Sequence, residues 1–133
     1  LQDNARDSVS AAHDRGAAAL FEACAQAGVR RVIHFSAIGV EREQPSSFSA
    51  SKLAGDKALM SLDLDWVILR PSVVLGRQVY GASALFRGLA ALPALPCMPG
   101  TDKLQVVRLD EVVATVQFFL DPRAPSHLAI DIA

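Results

Sequence analysis

Cysteine is scarce in this chain: only Cys24 and Cys97 occur among its 133 residues. Neither belongs to a Cys-x-x-Cys pair or has a histidine at ligand spacing, which excludes the common zinc patterns, and two cysteines do not make a disulfide framework. We therefore expect no metal site. The favoured interpretation is two reduced, buried thiols in a cytoplasmic protein.

The sequence also lacks an excess of positive charge and a long apolar run. Lys and Arg total 13 against 14 for Asp and Glu, a net charge of −1 without any polybasic block. This argues against nucleic acid or an anionic membrane surface as a partner. The most apolar stretch, residues 82–98, is interrupted by Arg87, Pro93 and Pro96. It falls short of the roughly 20 apolar residues that span a bilayer, so we expect no membrane segment.

What the chain does have is apolar surface. Hydrophobic residues make up 51% and charged residues 20% of the sequence, and the mean hydropathy is +0.27. This composition excludes a disordered chain. A chain of this size buries only about two-thirds of its unfolded surface, so we expect a neighbour, either another chain or upstream residues. The first residue is Leu1 rather than Met. Exposed apolar faces should make the chain self-associate.

The apolar pattern predicts helices alternating with strands. Residues 32–38 and 66–69 are continuous apolar runs, typical of strands buried on both faces. The helix between them has Ser46 or Ser47 as its cap. It contains Gly55, whose cost of about 1 kcal/mol relative to Ala indicates close packing. The predicted helices cover residues 5–27, 47–62, 83–92 and 110–120, the last capped by Asp110, and a short final strand covers residues 127–132.

A strand, a helix and a strand joined by short links predict a βαβ unit with parallel strands and a right-handed crossover. The fold class is therefore α/β with a doubly wound parallel sheet, of which only two strands are strong, so we expect part of the sheet to be absent. In such sheets, ligands bind outside the carboxyl ends of the strands. Those ends are residues 36–39 and 70–73. Phe48 and Lys52 share one face of the helix that begins near them.

Four segments follow one another in an order that points to a known family. They are GVRRVIHFSAIG at 28–39, FSASKLAGD at 48–56, ILRPSVVLG at 68–76 and VVRLDEVV at 106–113. Together they resemble the C-terminal part of the short-chain dehydrogenase/reductase superfamily, in its extended or atypical branch. Within that branch the chain is similar to NAD-dependent epimerase/dehydratase-like proteins and to the group of the complex I accessory subunit. The resemblance implies a Rossmann-like fold and NAD or NADP as the cofactor of the intact protein.

The resemblance also implies a degenerate active site. The family's active helix carries Tyr-x-x-x-Lys, in which the tyrosine is the general acid/base and the lysine holds the nicotinamide ribose. Lys52 keeps the lysine, but Phe48 stands at the tyrosine position and has no exchangeable proton. The catalytic candidates are therefore Lys52 and Ser36. Tyr80, the only tyrosine, is not required by the pattern.

The cofactor candidates follow from the two strand ends. The family's serine that holds the substrate oxygen aligns with Ala37, leaving Ser36 on the cofactor side. A register one residue earlier would give that role to Ser36 itself. The segment that begins at Arg70 matches the family's wall beside the nicotinamide ring, although Arg70 could equally form a structural ion pair. The implied cofactor-binding residues are Ser36, Ala37, Lys52, Pro71, Ser72 and Val73.

The family's glycine-rich turn, which lets backbone N–H groups approach the pyrophosphate, is missing. Neither Gly-x-Gly-x-x-Gly nor Gly-x-x-Gly-x-x-Gly occurs in the sequence. We therefore interpret residues 1–133 as a single partial domain that lacks the N-terminal, adenine-side half. Residues 5–76 would form its cofactor and active-site side, and residues 77–133 its substrate side.

Two functions are compatible with the resemblance. One is an atypical NAD(P)-binding dehydrogenase- or epimerase-like oxidoreductase that acts on an unidentified small molecule, with the fragment alone inactive. The alternative is a non-catalytic dinucleotide-sensing regulator or assembly subunit of the same fold, because Phe48 and Ala37 remove two expected reacting groups. A third possibility, an unrelated α/β binding module, would be favoured if residues 31–71 formed no βαβ unit.

Overall fold

The computed structural model describes residues 11–77, 82–94 and 105–133. A single π-helical turn, Ala11–Gly16 (hereafter the π-turn), leads directly into the first α-helix. The helices are α1 (Ala17–Gln26), α2 (Ser47–Met60), α3 (Ala82–Ala90) and α4 (Leu109–Leu120). The strands are β1 (Arg31–Phe35), β2 (Asp65–Pro71), β3 (Val73–Leu75), β4 (Val106–Arg108) and β5 (Leu128–Ile132).

The strands form two parallel sheets. One has three strands in the order β1-β2-β5, and the other pairs β3 with β4. In the larger sheet, Val32 lies opposite Trp66 and Val67 lies opposite Leu128. The predicted βαβ unit is therefore confirmed, with α2 as the connection between β1 and β2. The final strand is confirmed as well, whereas β3 and β4 were not predicted.

The core lies on both faces of β2, because successive side chains of a strand point to opposite faces. Val67, Ile68 and Leu69 are fully buried. On one face the buried cluster is Phe21, Leu59, Leu64 and Ile68; on the other it is Val67, Leu69 and Phe119. This is the double coverage expected of a doubly wound sheet.

The prediction that β1 is buried on both faces is wrong. Residues 31–34 are half-buried and Phe35 is 43% exposed. Among the described residues β1 pairs on one side only, with β2. The edge position of β1 explains this exposure. An apolar run indicates a preference for strand structure, but it does not indicate how many neighbours the strand has.

Helix α2 begins and packs as expected. The Ser46 hydroxyl caps it by accepting a hydrogen bond from the Ser49 N–H at 3.2 Å. Gly55 lies against the backbone of the π-turn, where a Cβ atom would overlap the His13 carbonyl oxygen. The close packing predicted at Gly55 is confirmed, and it lets the π-turn approach α2 more closely than any side chain would allow.

Two further expectations need correction. The cap of α4 is Arg108, whose backbone N–H donates to Glu111, while Asp110 pairs with the Arg108 side chain at 3.0 Å. Asp110 is thus a first-turn residue and not the cap. Cys24 is a free thiol, but it is half-buried, and Cys97 lies outside the described residues. Residues 5–10 of the predicted first helix also lie outside them.

Arg31, at the start of β1, binds the end of α4 across the fold. Its guanidinium donates to the carbonyl oxygens of Phe119 at 2.9 Å, Asp121 at 2.5 Å and Ala124 at 2.8 Å. The last carbonyls of a helix have no intrahelical donor, so a cation there satisfies them and complements the helix dipole.

Candidate functional site

The carboxyl ends of β1 and β2 lie side by side. The backbone N–H of Ser36 donates to the Leu69 carbonyl at 2.8 Å, and that of Ile38 donates to the Pro71 carbonyl at 3.3 Å. The turns that follow the two strands are therefore adjacent, as the βαβ prediction required. Five of the six candidate cofactor residues lie in or next to these two turns: Ser36, Ala37 and Ser72 in them, Pro71 at the end of β2 and Val73 at the start of β3.

Lys52 joins the same strand edge from α2. Its Nζ donates a hydrogen bond to the Phe35 carbonyl at 2.8 Å and lies 6.0 Å from the centre of the Phe48 ring. Burial lowers the pKa of Lys52, and the carboxylate of Asp56 only partly opposes this effect. The ammonium is thus held at the end of β1 in a partly desolvated position, where a hydrogen bond to a ligand is stronger than in water.

Phe48 packs one turn before Lys52 and is 37% exposed. Its ring meets the His13 ring edge to face, with centroids 5.3 Å apart and an interplanar angle of 85°. No sequence pattern indicates His13 at this position, because it precedes β1 and approaches α2 only through tertiary packing of the π-turn.

Ser36 is buried and its hydroxyl is already engaged. Its Oγ donates to Oδ2 of Asp56 at 2.9 Å. A hydroxyl has one proton and two acceptor lone pairs, so Ser36 can still accept a hydrogen bond from a ligand while its proton stays on Asp56.

Asp56 is a buried carboxylate beside the candidate residues that the sequence analysis did not identify. It is fully buried one turn after Lys52, and it contacts His34, Ser36 and Arg70. Burial alone would raise the pKa of Asp56, but its contacts with these three residues outweigh burial and lower the pKa. The spacing of four from Lys52 and eight from Phe48 on one helix was a signal that could have indicated it.

Arg70, at the end of β2, completes this polar cluster. It donates to Asp56 from both Nε and Nη2, and its Nη2 also reaches Glu41 at 2.8 Å. Burial alone would lower the pKa of Arg70, but the bonds to Glu41 and Asp56 raise it. Of the two roles left open for Arg70, the ion pair is present.

Ser72 offers a polar group without a partner among the described residues. Its backbone N–H donates to the Ile132 carbonyl at 2.9 Å, whereas its Oγ is buried and makes no hydrogen bond. A buried hydroxyl in this state is costly unless a ligand or water satisfies it. Its neighbours Ala37, Pro71 and Val73 are half-buried.

An open cleft of about 1010 Å³ lies beyond β3, on the side of the predicted substrate region. Val73, Leu75 and Phe86 contribute apolar walls, and Arg77, Arg87 and Arg108 contribute cations. Only Val73 is shared with the candidate cofactor residues. Tyr80 lies outside the described residues.

Over residues 11–77, 82–94 and 105–133, no group of three or more metal-ligating side chains occurs. None of the helices in this part of the chain is long and apolar enough to cross a membrane.

A family model described as NAD(P)H-binding matches residues 3–86. Among curated proteins, a ceramide reductase of Caulobacter vibrioides is 29% identical over 104 residues, which cover 78% of this chain and 32% of that protein. NADH dehydrogenase (ubiquinone) 1 alpha subcomplex subunit 9 of Mus musculus is 31% identical over 108 residues, which cover 80% of this chain and 29% of that protein. The chain therefore spans about a third of the length of these curated relatives.

Solved structures with a similar fold include enzymes crystallised with NAD. The Bordetella bronchiseptica enzyme WbmG, in complex with NAD and UDP, superposes with a TM-score of 0.72 at 20% identity and is matched over 100% of this chain and 48% of its own. UDP-glucuronic acid 4-epimerase from Bacillus cereus, with NAD, gives a TM-score of 0.72 at 21% identity over 90% of this chain and 45% of its own. At these identities the match establishes the Rossmann-like fold, over about half of each enzyme.

Proposed function

This chain belongs to the NAD(P)H-binding family, in the atypical branch of the short-chain dehydrogenase/reductase superfamily, and from that premise we propose that the intact protein is an NAD(P)-dependent oxidoreductase. The observation that carries the proposal is the position of Lys52. Its ammonium is held by the Phe35 carbonyl at the carboxyl end of β1, where parallel sheets bind their ligands.

In this proposal Lys52 holds the nicotinamide ribose and the two turns form the wall beside the ring. Nζ uses one of its three protons on Phe35, so two remain for ribose hydroxyls. The unpaired Ser72 hydroxyl supports the assignment, because a polar ligand there would satisfy it. Ala37, Pro71 and Val73 complete the wall. When bound, the dinucleotide supplies hydride transfer.

In this proposal Ser36 acts only as a hydrogen-bond acceptor, whereas a freely rotating serine could also donate. Because its proton is donated to Asp56, the Oγ lone pairs face a ligand as acceptors. Ser36 would therefore orient an alcohol or a ribose hydroxyl, and it would not donate to a carbonyl oxygen while Asp56 holds its proton.

Titration of the full-length protein with NADH and with NADPH tests cofactor binding. We expect saturable enhancement of nicotinamide fluorescence for at least one of the two. The absence of binding at millimolar concentrations of both cofactors would contradict the proposal. The ratio of the two dissociation constants would identify the preferred cofactor.

A second candidate is a non-catalytic dinucleotide-sensing regulator or assembly subunit. Phe48 favours it, because a phenyl ring has no proton to exchange. The mouse relative favours it too, since its name describes a subunit of NADH dehydrogenase, whereas the name of the Caulobacter relative describes a reductase. Tight cofactor binding without any turnover of a ketone panel would support this second function.

We also propose that the chain as given self-associates. Large apolar side chains on several elements are exposed, among them Leu20, Phe35, Leu85, Phe118 and Leu120. Light scattering should report a dimer or larger species, and a monodisperse monomer would contradict this proposal.

A further inference from the structure

We propose that His13 is the proton donor and acceptor of this site, replacing the tyrosine that Phe48 does not supply. The inference rests on the oxidoreductase function proposed above. It depends on three independent features of the structure: the close approach of the π-turn to α2, the ring contact with Phe48, and the hydrogen bond that fixes the tautomer of His13.

The π-turn brings His13 to the active helix. The His13 carbonyl lies so close to Gly55 that a Cβ on Gly55 would overlap it. A π-turn at the start of a helix is rare and is frequent at functional sites. The close approach of His13 to α2 therefore depends on the π-turn and on the absence of a side chain at Gly55.

The ring of His13 lies beside the position that lacks a proton donor. Its centroid is 5.3 Å from that of Phe48, in an edge-to-face arrangement. Lys52 is one turn further along the same face of α2 and lies 6.0 Å from the same Phe48 ring. His13 and Lys52 thus border Phe48 together, and His13 is the group of this trio that can exchange a proton near neutral pH.

A hydrogen bond to Ser51 selects the tautomer of His13. The Ser51 hydroxyl donates to the Phe48 carbonyl at 2.9 Å, so its proton is committed. The His13 Nδ1 lies 3.4 Å from Ser51 Oγ, which can only accept there. Nδ1 therefore carries the proton of the neutral ring, and Nε2 keeps a free lone pair.

The surroundings favour the neutral ring as the resting form. Burial and then the neighbouring Lys52 ammonium lower the pKa of His13. In the oxidation of an alcohol, Nε2 would accept the hydroxyl proton while the C–H bond gives its hydride to the oxidised nicotinamide dinucleotide. In reduction the imidazolium returns that proton to the carbonyl oxygen, so one proton and one hydride are exchanged in each direction.

The tautomer can be measured without substrate or cofactor. We expect ¹⁵N-detected imidazole spectra of the full-length protein to show His13 protonated at Nδ1 and unprotonated at Nε2 at neutral pH. The Ser51→Ala variant should lose this preference. A wild-type ring protonated at Nε2 would overturn the proposal, because no lone pair would then be available there.

The catalytic role is tested with NADPH and phenanthrenequinone as the probe. His13→Asn should lower the rate of quinone reduction by about a hundredfold or more, the usual contribution of a general acid. His127→Asn is the matched control, because His127 packs against Trp66 away from this site, and it should leave the rate unchanged.

Measuring NADPH binding to wild type and to each variant distinguishes an error in the role of His13 from an error in the proposed cofactor binding. If NADPH binds normally but His13→Asn and wild type reduce the quinone equally fast, or neither reduces it, the role of His13 is wrong and the cofactor-binding function stands. If wild type binds neither NADH nor NADPH, the proposed function fails first, and with it the role of His13.

Discussion

Arg70 donates two hydrogen bonds to a single oxygen of Asp56, from Nε at 3.3 Å and from Nη2 at 3.2 Å. The same oxygen accepts the Ser36 hydroxyl proton at 2.9 Å. One carboxylate oxygen thus joins α2 to the ends of both β1 and β2. The site residues on these three elements keep their relative positions only while this buried cluster is intact.

Replacing Asp56 by Leu should destabilise the protein by about 3–5 kcal/mol, since it leaves the buried Arg70 guanidinium without its buried carboxylate and with only the largely exposed Glu41 as an ion-pair partner among the described residues. Urea denaturation measures the change. Asp63→Leu, at an exposed position three residues beyond the end of α2, is the control and should change the unfolding free energy by no more than about 0.5 kcal/mol. A loss smaller than about 1 kcal/mol for Asp56→Leu would mean that the cluster contributes little to stability.

The lowered pKa of Asp56 predicts acid sensitivity. The hydrogen bonds of the folded state hold its pKa below the unfolded value of about 3.9. Their contribution is complete above that value and is lost as the pH falls through the folded pKa. Denaturation at about pH 6 and about pH 3 should therefore show a larger drop in stability for wild type than for Asp56→Asn. Equal drops would contradict the assignment.

Lys52→Met should weaken NADH binding by about tenfold or more, because a hydrogen bond from a charged group contributes about 1.5–3 kcal/mol. It should not lower the stability of the free protein, since burial already disfavours the ammonium and lowers its pKa. Lys57→Met, on the exposed side of the same helix, is the control. Equal NADH affinity in both variants would exclude Lys52 as a ribose ligand.

Gly55→Ala should destabilise the protein by about 1–3 kcal/mol, because the new Cβ must displace the His13 carbonyl. Helix propensity alone predicts the opposite sign, a gain of about 1 kcal/mol. Gly88→Ala, in α3, is the matched control and should stabilise, since its new Cβ would meet no described residue within 4 Å apart from its chain neighbours and its own helix backbone. If Gly55→Ala also stabilised the protein, the π-turn would not be held against α2 as described.

The parts of the fold that were predictable are those with a signal in a short stretch of sequence, such as an apolar run or a helix cap. The βαβ unit followed from two apolar runs with a capped helix between them, and the final strand from a short apolar segment. Strands β3 and β4 have three residues each, too few to show a period. β4 also runs directly into α4, and its pairing with β3 depends on tertiary contact.

The part of the candidate site that belongs to a recognisable sequence motif was predictable. Lys52 and the two strand-end turns came from the resemblance, and they lie together at one edge of the sheet. The position of His13 was not predictable, because its approach to α2 depends on Gly55 and on a π-turn, which has no recognisable sequence period. Asp110 was mistaken for the cap of α4, since aspartate is among the preferred capping residues, while Glu111 is the side chain that the Arg108 N–H reaches.

Arg31 has a consequence for anyone who shortens this polypeptide. Its guanidinium holds the carbonyls at the end of α4, and β5 then runs beside β2. A version that stops after α4 would lack β5 and would leave one edge of β2, the most buried strand, unpaired. No other strand in the described part of the molecule pairs with that edge. Expression of such a version, which lacks residues 121–133, should yield inclusion bodies.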